Sequence, residues 1–105
     1  MRSMQHLYNI TTLVAHPIAI DWLKWMKEKH IPAIMSSGCF LENRLLQLKE
    51  QDETEGLTYS LQLLASSREE YERYLREFAP ALREDARQHW GENALSFRTL
   101  MQVVN

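Results

Sequence analysis

His6-Leu7-Tyr8-Asn9-Ile10-Thr11-Thr12-Leu13-Val14-Ala15 runs into His16-Pro17, and Trp22-Leu23-Lys24-Trp25-Met26-Lys27-Glu28-Lys29 follows. The change of period between these two stretches decides the fold. In the first, Tyr8, Ile10, Thr12 and Val14 alternate with Leu7, Asn9, Thr11 and Leu13, the two-residue repeat of a strand. Proline cannot donate to a ladder, so Pro17 ends it. In the second, Trp22, Trp25, Met26 and Lys29 fall at i, i+3, i+4 and i+7, one stripe of a helix whose Lys24, Lys27 and Glu28 face water. Asp21 sits in its opening turn, where a negative charge meets the positive end of the helix dipole. Pro32 disfavours a helical Ile31 and removes a donor, which predicts an end or a kink around His30. A short turn through Met35 and a stop at Ser36-Ser37-Gly38 complete the unit.

Working outward, residues 40–49 read as a second strand, 51–56 as a polar hairpin loop and 58–65 as a third strand carrying Tyr59, Leu61 and Leu63 on one face. Ser67 with Glu70 three residues on is a capping box. The helix behind it carries Tyr71, Tyr74, Leu75, Phe78 and Leu82 as one stripe, with a kink expected at Pro80 and a cap at Gly91. Residues 95–104 form the last strand, with Phe97, Thr99, Met101 and Val103 expected inward. The order βαββαβ predicts an α+β, ferredoxin-like plait. It has a four-stranded antiparallel sheet with two helices on one face and spans residues 1–105 as a single domain. Leu7, Leu13, Leu64, Leu100 and Val104 are left on the opposite face. Their burial predicts a homodimer packed sheet to sheet, against the alternative of a monomer with scattered surface leucines.

The 105 residues hold 45% apolar and 10% aromatic side chains, enough for a core. A net charge of -2 from 12 basic and 14 acidic residues supplies no field for nucleic acid or anionic lipid, so neither is an expected partner. Neither a signal peptide nor an apolar run near the roughly 20 residues of a spanning helix is read, so no membrane is expected. The single cysteine, Cys39, fits a reducing compartment, and the expected location is cytoplasmic.

Tyr8-Asn9-Ile10-Thr11, Trp22-Leu23-Lys24-Trp25-Met26, His30-Ile31-Pro32, Gly38-Cys39-Phe40, Arg44-Leu45-Leu46, Tyr71-Glu72-Arg73-Tyr74, Ala79-Pro80-Ala81-Leu82-Arg83 and Phe97-Arg98-Thr99-Leu100 together resemble an uncharacterised family of small bacterial proteins, domain of unknown function 4286. The likeness spans nearly the whole chain, but that family implies no established activity. At lower resolution the chain resembles the dimeric α/β-barrel superfamily, which includes antibiotic-biosynthesis monooxygenases, haem-degrading monooxygenases and isomerases. The shared parts are the βαββαβ order, Ser37-Gly38-Cys39-Phe40 and the stretch from Ser67 to Tyr74. The resemblance implies facing sheets and a ligand between a sheet and its own helices. The haem-degrading branch implies a strand-one asparagine, which Asn9 could match, with a tryptophan and a histidine on the second helix. His89 and Trp90 lie too late in that helix to reproduce the set.

Asn9, Gln62 and Arg98 share a parity on three strands and are expected to form a polar patch on the face away from the helices. They could bind a carboxylate or phosphate there. Alternatively they form an interface network, with Arg98 paired to a carboxylate such as Glu42 of either chain. Trp22, Trp25 and Met26 with Tyr71 and Tyr74 could wall an aromatic pocket or simply be core. His30, at a helix break and with a pKa ordinarily near neutrality, is the best acid–base candidate, although a histidine near a helix end is also stabilised by the dipole. Cys39 reads as a small buried hydrophobe. No metal site and no cofactor are expected. The expected ligand-binding set is therefore Asn9, Trp22, His30, Tyr59, Gln62 and Arg98.

Two functions follow. One is a homodimeric module that binds a small molecule or another protein. The other is a cofactor-free monooxygenase or isomerase, with haem binding or degradation a weaker variant. An enzyme requires a pocket of at least a few hundred cubic ångströms reached by His30, Tyr59 or another titratable group.

Overall fold

The computed structural model describes residues 4–105. Strand β1 (His6–Ala15) leads through a short 3-10 turn into α1 (Ala19–Trp25), a π-helical turn (Met26–His30) and α2 (Ile31–Met35). Strands β2 (Phe40–Gln47) and β3 (Gly56–Ala65) form a hairpin. They are followed by α3 (Arg68–Glu77), α4 (Ala79–Trp90) and β4 (Ala94–Gln102). All neighbouring strands are antiparallel in the order β2-β3-β1-β4. This is the expected α+β plait, with β3 and β1 central and β2 and β4 at the edges.

The helices pack on the face formed by Tyr8, Val14, Tyr59, Leu61 and Leu63. With Trp22, Met26, Ile34, Phe40 and Tyr74, these residues make the core. Each large apolar side chain withdrawn from water there contributes about 1.5–3 kcal/mol before entropy is counted. Gly56 ends the hairpin where β3 presses on β1: a Cβ at this position would run into the Val14 carbonyl oxygen.

Three expectations are corrected. Of the end or kink expected around His30, the end is overturned: a π-helical turn marks the irregularity there, and the chain stays helical through Met35. Pro32 has no N–H and its ring crowds the carbonyl four residues back, and the wider turn ahead of it absorbs both. The Ile31 amide accordingly donates to the Met26 carbonyl, five residues back.

The second correction concerns β4. Ile10 faces Arg98, Tyr8 faces Leu100 and Thr11 faces Phe97. Directly opposed residues share a face of the sheet. Arg98 and Leu100 therefore lie toward the helices, whereas Phe97 and Met101 lie on the open face, and Val103 and Val104 fall beyond the strand. A one-residue error in register inverts a whole strand. On this edge strand the more apolar row is the one pointing away from the helices.

The third correction follows from the second. Asn9 and Gln62 are direct cross-strand partners on the open face, but Arg98 is not beside them. Nor can Arg98 reach Glu42 of its own chain, because Glu42 faces Leu64 on the open side of the opposite edge strand.

Candidate functional site

A cavity of about 220 Å³ lies between the sheet and the helices. Tyr8, Ile10 and Thr12 of β1, Tyr59 and Leu61 of β3, and Ser96 and Arg98 of β4 form its floor. Trp22, Trp25, Met26 and His30 of the first helical segment and Arg83, Ala86 and Trp90 of α4 wall it. The exposed lining residues Arg83, Arg87, Ser96 and Arg98 belong to α4 and the edge strand β4, which places the mouth between them.

The π-helical turn builds the inner wall. It sets Trp25 and His30, five residues apart, on one face, where their rings stack with centroids 4.5 Å apart and planes 19° apart. Trp90 meets the same indole edge-on at 5.7 Å, and His89 lies 5.2 Å away. The helix carrying Trp90 stops at Gly91, whose φ of 54° suits a residue without a Cβ. Trp22 and Tyr59, both in the lining, pack on each other with ring centroids 5.1 Å apart.

Burial lowers the His30 pKa from the usual 6.5 to about 4; the Asp85 carboxylate opposes this shift, and the Arg98 and His89 charges add to it. The imidazole is therefore neutral at pH 7 and too weak a base to match a proton abstraction near that pH. A neutral imidazole can still donate one hydrogen bond and accept another. Burial likewise raises the Tyr74 phenol to about 12, with the neighbouring Tyr8 adding to the shift. Burial and Glu53 raise the Tyr59 phenol. Both phenols stay protonated.

The arginines differ in their freedom. Arg83 donates to the Tyr8 phenol oxygen at 2.8 Å, and Arg87 grips Glu84 through two bonds. Among the described residues Arg98 has no ion-pair partner. Two polar atoms of lining residues, His30 Nδ1 and Trp90 Nε1, are buried without accessible surface and have no hydrogen-bond partner among the described residues.

The expected ligand-binding set is thus divided by the sheet. Trp22, His30, Tyr59 and Arg98 line one cavity. Asn9 and Gln62 face the other side, where Asn9 accepts from the Ser60 hydroxyl and donates to Thr11 Oγ1 at 3.0 Å. This separation removes the physical basis for a haem site built on Asn9 together with a histidine of the helical layer. Trp90 and Arg83 went unselected in the sequence. Their only signals were a tryptophan just ahead of a capping glycine and an arginine on the helix bearing the aromatic stripe. Cys39 is buried as a small hydrophobe. Among the described residues no three His, Cys, Asp or Glu side chains gather as metal ligands, and no helix is long and apolar enough to cross a membrane.

The family described as a domain of unknown function, DUF4286, matches residues 5–104. The chain belongs to the DUF4286 family. No curated protein matches this DUF4286 sequence. Its fold is similar to that of a candidate antibiotic biosynthesis monooxygenase from Bacillus cereus (TM-score 0.69, 10% identity, 98% of this chain and 96% of the other). It is also similar to SnoaB, a cofactor-independent oxygenase from Streptomyces nogalater (0.66, 14%, 98% and 95%). A dimeric ferredoxin-like protein from an uncultured marine organism is a third (0.62, 12%, 98% and 98%). At such identities the likeness places this DUF4286 chain in the fold and does not extend to chemistry.

Proposed function

We propose that this protein is a cytoplasmic homodimeric module that binds a small molecule in the cavity between its sheet and its helices. The supporting observation is the cavity itself, where aromatic walls meet the Arg98 side chain, which has no ion-pair partner among the described residues. Ligand sites are concave, mostly apolar and fitted with a few polar groups. Self-association is supported by the open sheet face, where Leu95 is 56% and Phe97 64% exposed, and by the dimeric relative of the same fold. The lone buried cysteine supports the reducing compartment.

Thermal-shift screening against metabolites tests the cavity. A ligand at about 100 times its Kd stabilises by about 2.7 kcal/mol. That gain should vanish in Ala86→Phe, which fills the space. Stabilisation that survives this substitution would move the site elsewhere.

A second reading, a cofactor-free monooxygenase or isomerase, would use His30 as a hydrogen-bonding group and not as a base. This imidazole is held neutral in a cavity that excludes part of the solvent, and the oxygenase SnoaB shares the fold. Turnover of a screened ligand in air, absent in His30→Phe, would favour it over simple binding.

A further inference from the structure

The charges on the cavity are one-sided. Among the described residues its lining holds three arginines, Arg83, Arg87 and Arg98, and no aspartate or glutamate, in a chain whose net charge is -2. Glu84 offsets Arg87 at 2.6 Å, and Asp85, also outside the lining, lies 3.5 Å from His89. Arg83 and Arg98 have no ion-pair partner among the described residues. Arg83 donates instead to the neutral Tyr8 phenol through one of its five N–H groups, which leaves others to offer.

These two uncompensated cations gather at one place. Arg98 stands opposite Ile10, and Tyr8, which takes the Arg83 bond, lies two residues along β1 on the same face. The Tyr74 ring is 6.3 Å from that of Tyr8, and its phenol feels both guanidinium charges, each opposing the upward push of burial. A guanidinium fork matches a planar carboxylate. Phosphate sites draw on helix N-termini. The helix end in this lining is the opposite one, Trp90 and Gly91 at the close of α4, whose dipole is negative and favours a singly charged anion over a dianion. Size sets the rest of the guest. An engineered apolar cavity of about 150 Å³ takes up benzene, and the 220 Å³ here has room for one ring with a short acid arm.

We propose that the guest is a small carboxylic acid with an apolar body about the size of one aromatic ring, its carboxylate received by Arg98 and Arg83. This rests on the cavity being a small-molecule site, and it gives the guest a charge and a direction. The carboxylate lies toward the mouth between α4 and β4, and the apolar body lies inward against Trp22, Trp25 and Met26.

The test uses phenylacetate and phenylacetamide as probes of one shape that differ in charge, titrated by NMR against the full chain and against Arg98→Gln. Arg98 is exposed on an edge strand, so this variant should fold. Wild type should bind the acid about 10-fold more tightly than the amide, a typical yield for a charge-assisted hydrogen bond. Arg98→Gln should cut that preference about 3-fold or more and leave the amide within about 2-fold. In the wild-type protein, raising sodium chloride from about 0.05 to about 0.5 M should shrink the acid's advantage, a readout that needs no variant. Equal affinity for the two probes, or a preference untouched by Arg98→Gln, overturns the assignment. Phenyl phosphate binding more tightly than the acid would overturn the choice of carboxylate. An acid that binds Ala86→Phe as well as wild type is pairing with an arginine outside the cavity, which also overturns it. If neither probe binds while other metabolites stabilise the protein in a manner lost in Ala86→Phe, the carboxylate class is wrong and the cavity reading stands. If no small molecule stabilises it, both fall.

Discussion

His30 shows how the position of a side chain can be legible in the sequence while its ionisation is not. Its place at the helix irregularity was legible from Pro32, and its ordinary pKa suggested acid–base work. Burial in the folded chain instead takes that pKa to about 4. The consequence for stability has a definite sign. Between about pH 6.5 and 4 the unfolded chain binds a proton at His30 that the native state refuses, so stability is full above this window and falls as pH drops through it. The loss approaches roughly 3 kcal/mol at about 1.4 kcal/mol per pH unit, less whatever solvent at the mouth relieves. Asp85 and His89 from α4 and Arg98 from β4 are the charged groups facing it. Urea unfolding from pH 7.5 to 4.5 should show a shallower acid slope for His30→Asn than for wild type. Identical slopes would mean that the imidazole is not held neutral. Arg98 teaches the converse: its chemistry was evident, its side of the sheet was not, because a lone arginine on an edge strand carries no sign of direction.

At the scale of elements, local signals that act within a few residues were readable. Ser67 accepts from the Glu70 amide at 3.2 Å, as the capping box predicts, and Gly91 ends α4. Ser67→Ala should cost about 1 kcal/mol by leaving a first-turn amide without its acceptor, measured as a lower urea midpoint at unchanged slope. A value near zero would make the cap decorative. The π-helical turn was not readable. Pro32 announces a disturbance, but either a break or a widened turn relieves it, and only packing chooses. Here the wider turn keeps Met26 and Ile34 in the core together and stacks His30 on Trp25. The face of β4 was illegible for a related reason. Leu95, Phe97 and Met101 form the greasier row, and the rule that greasy rows face the helices points the wrong way.

For the whole molecule, that inverted strand strengthens the case for association. The open face carries Leu7, Leu13 and Leu64 and gains Leu95, Phe97 and Met101, the last three exposed in the single chain. Among the described strand residues Phe97 is the one aromatic on this face, where it lies opposite Thr11. Phe97→Glu should convert a dimer in sedimentation at tens of micromolar into a monomer. Monomer stability should change by only about 0.5 kcal/mol, since the side chain packs on little within its own chain. A wild-type protein that sediments as a monomer at that concentration would overturn the sheet-to-sheet pairing.

The order of elements, the plait, the helix caps and the aromatic stripes were settled by sequence, because periodicity and capping depend on neighbours only a few positions away. Which side β4 presents, how the first helix passes Pro32, and that His30, Trp90 and Arg98 share one cavity were decided by the tertiary structure. These depend on ladder register and on packing between segments some sixty residues apart in the chain, and no local pattern encodes them.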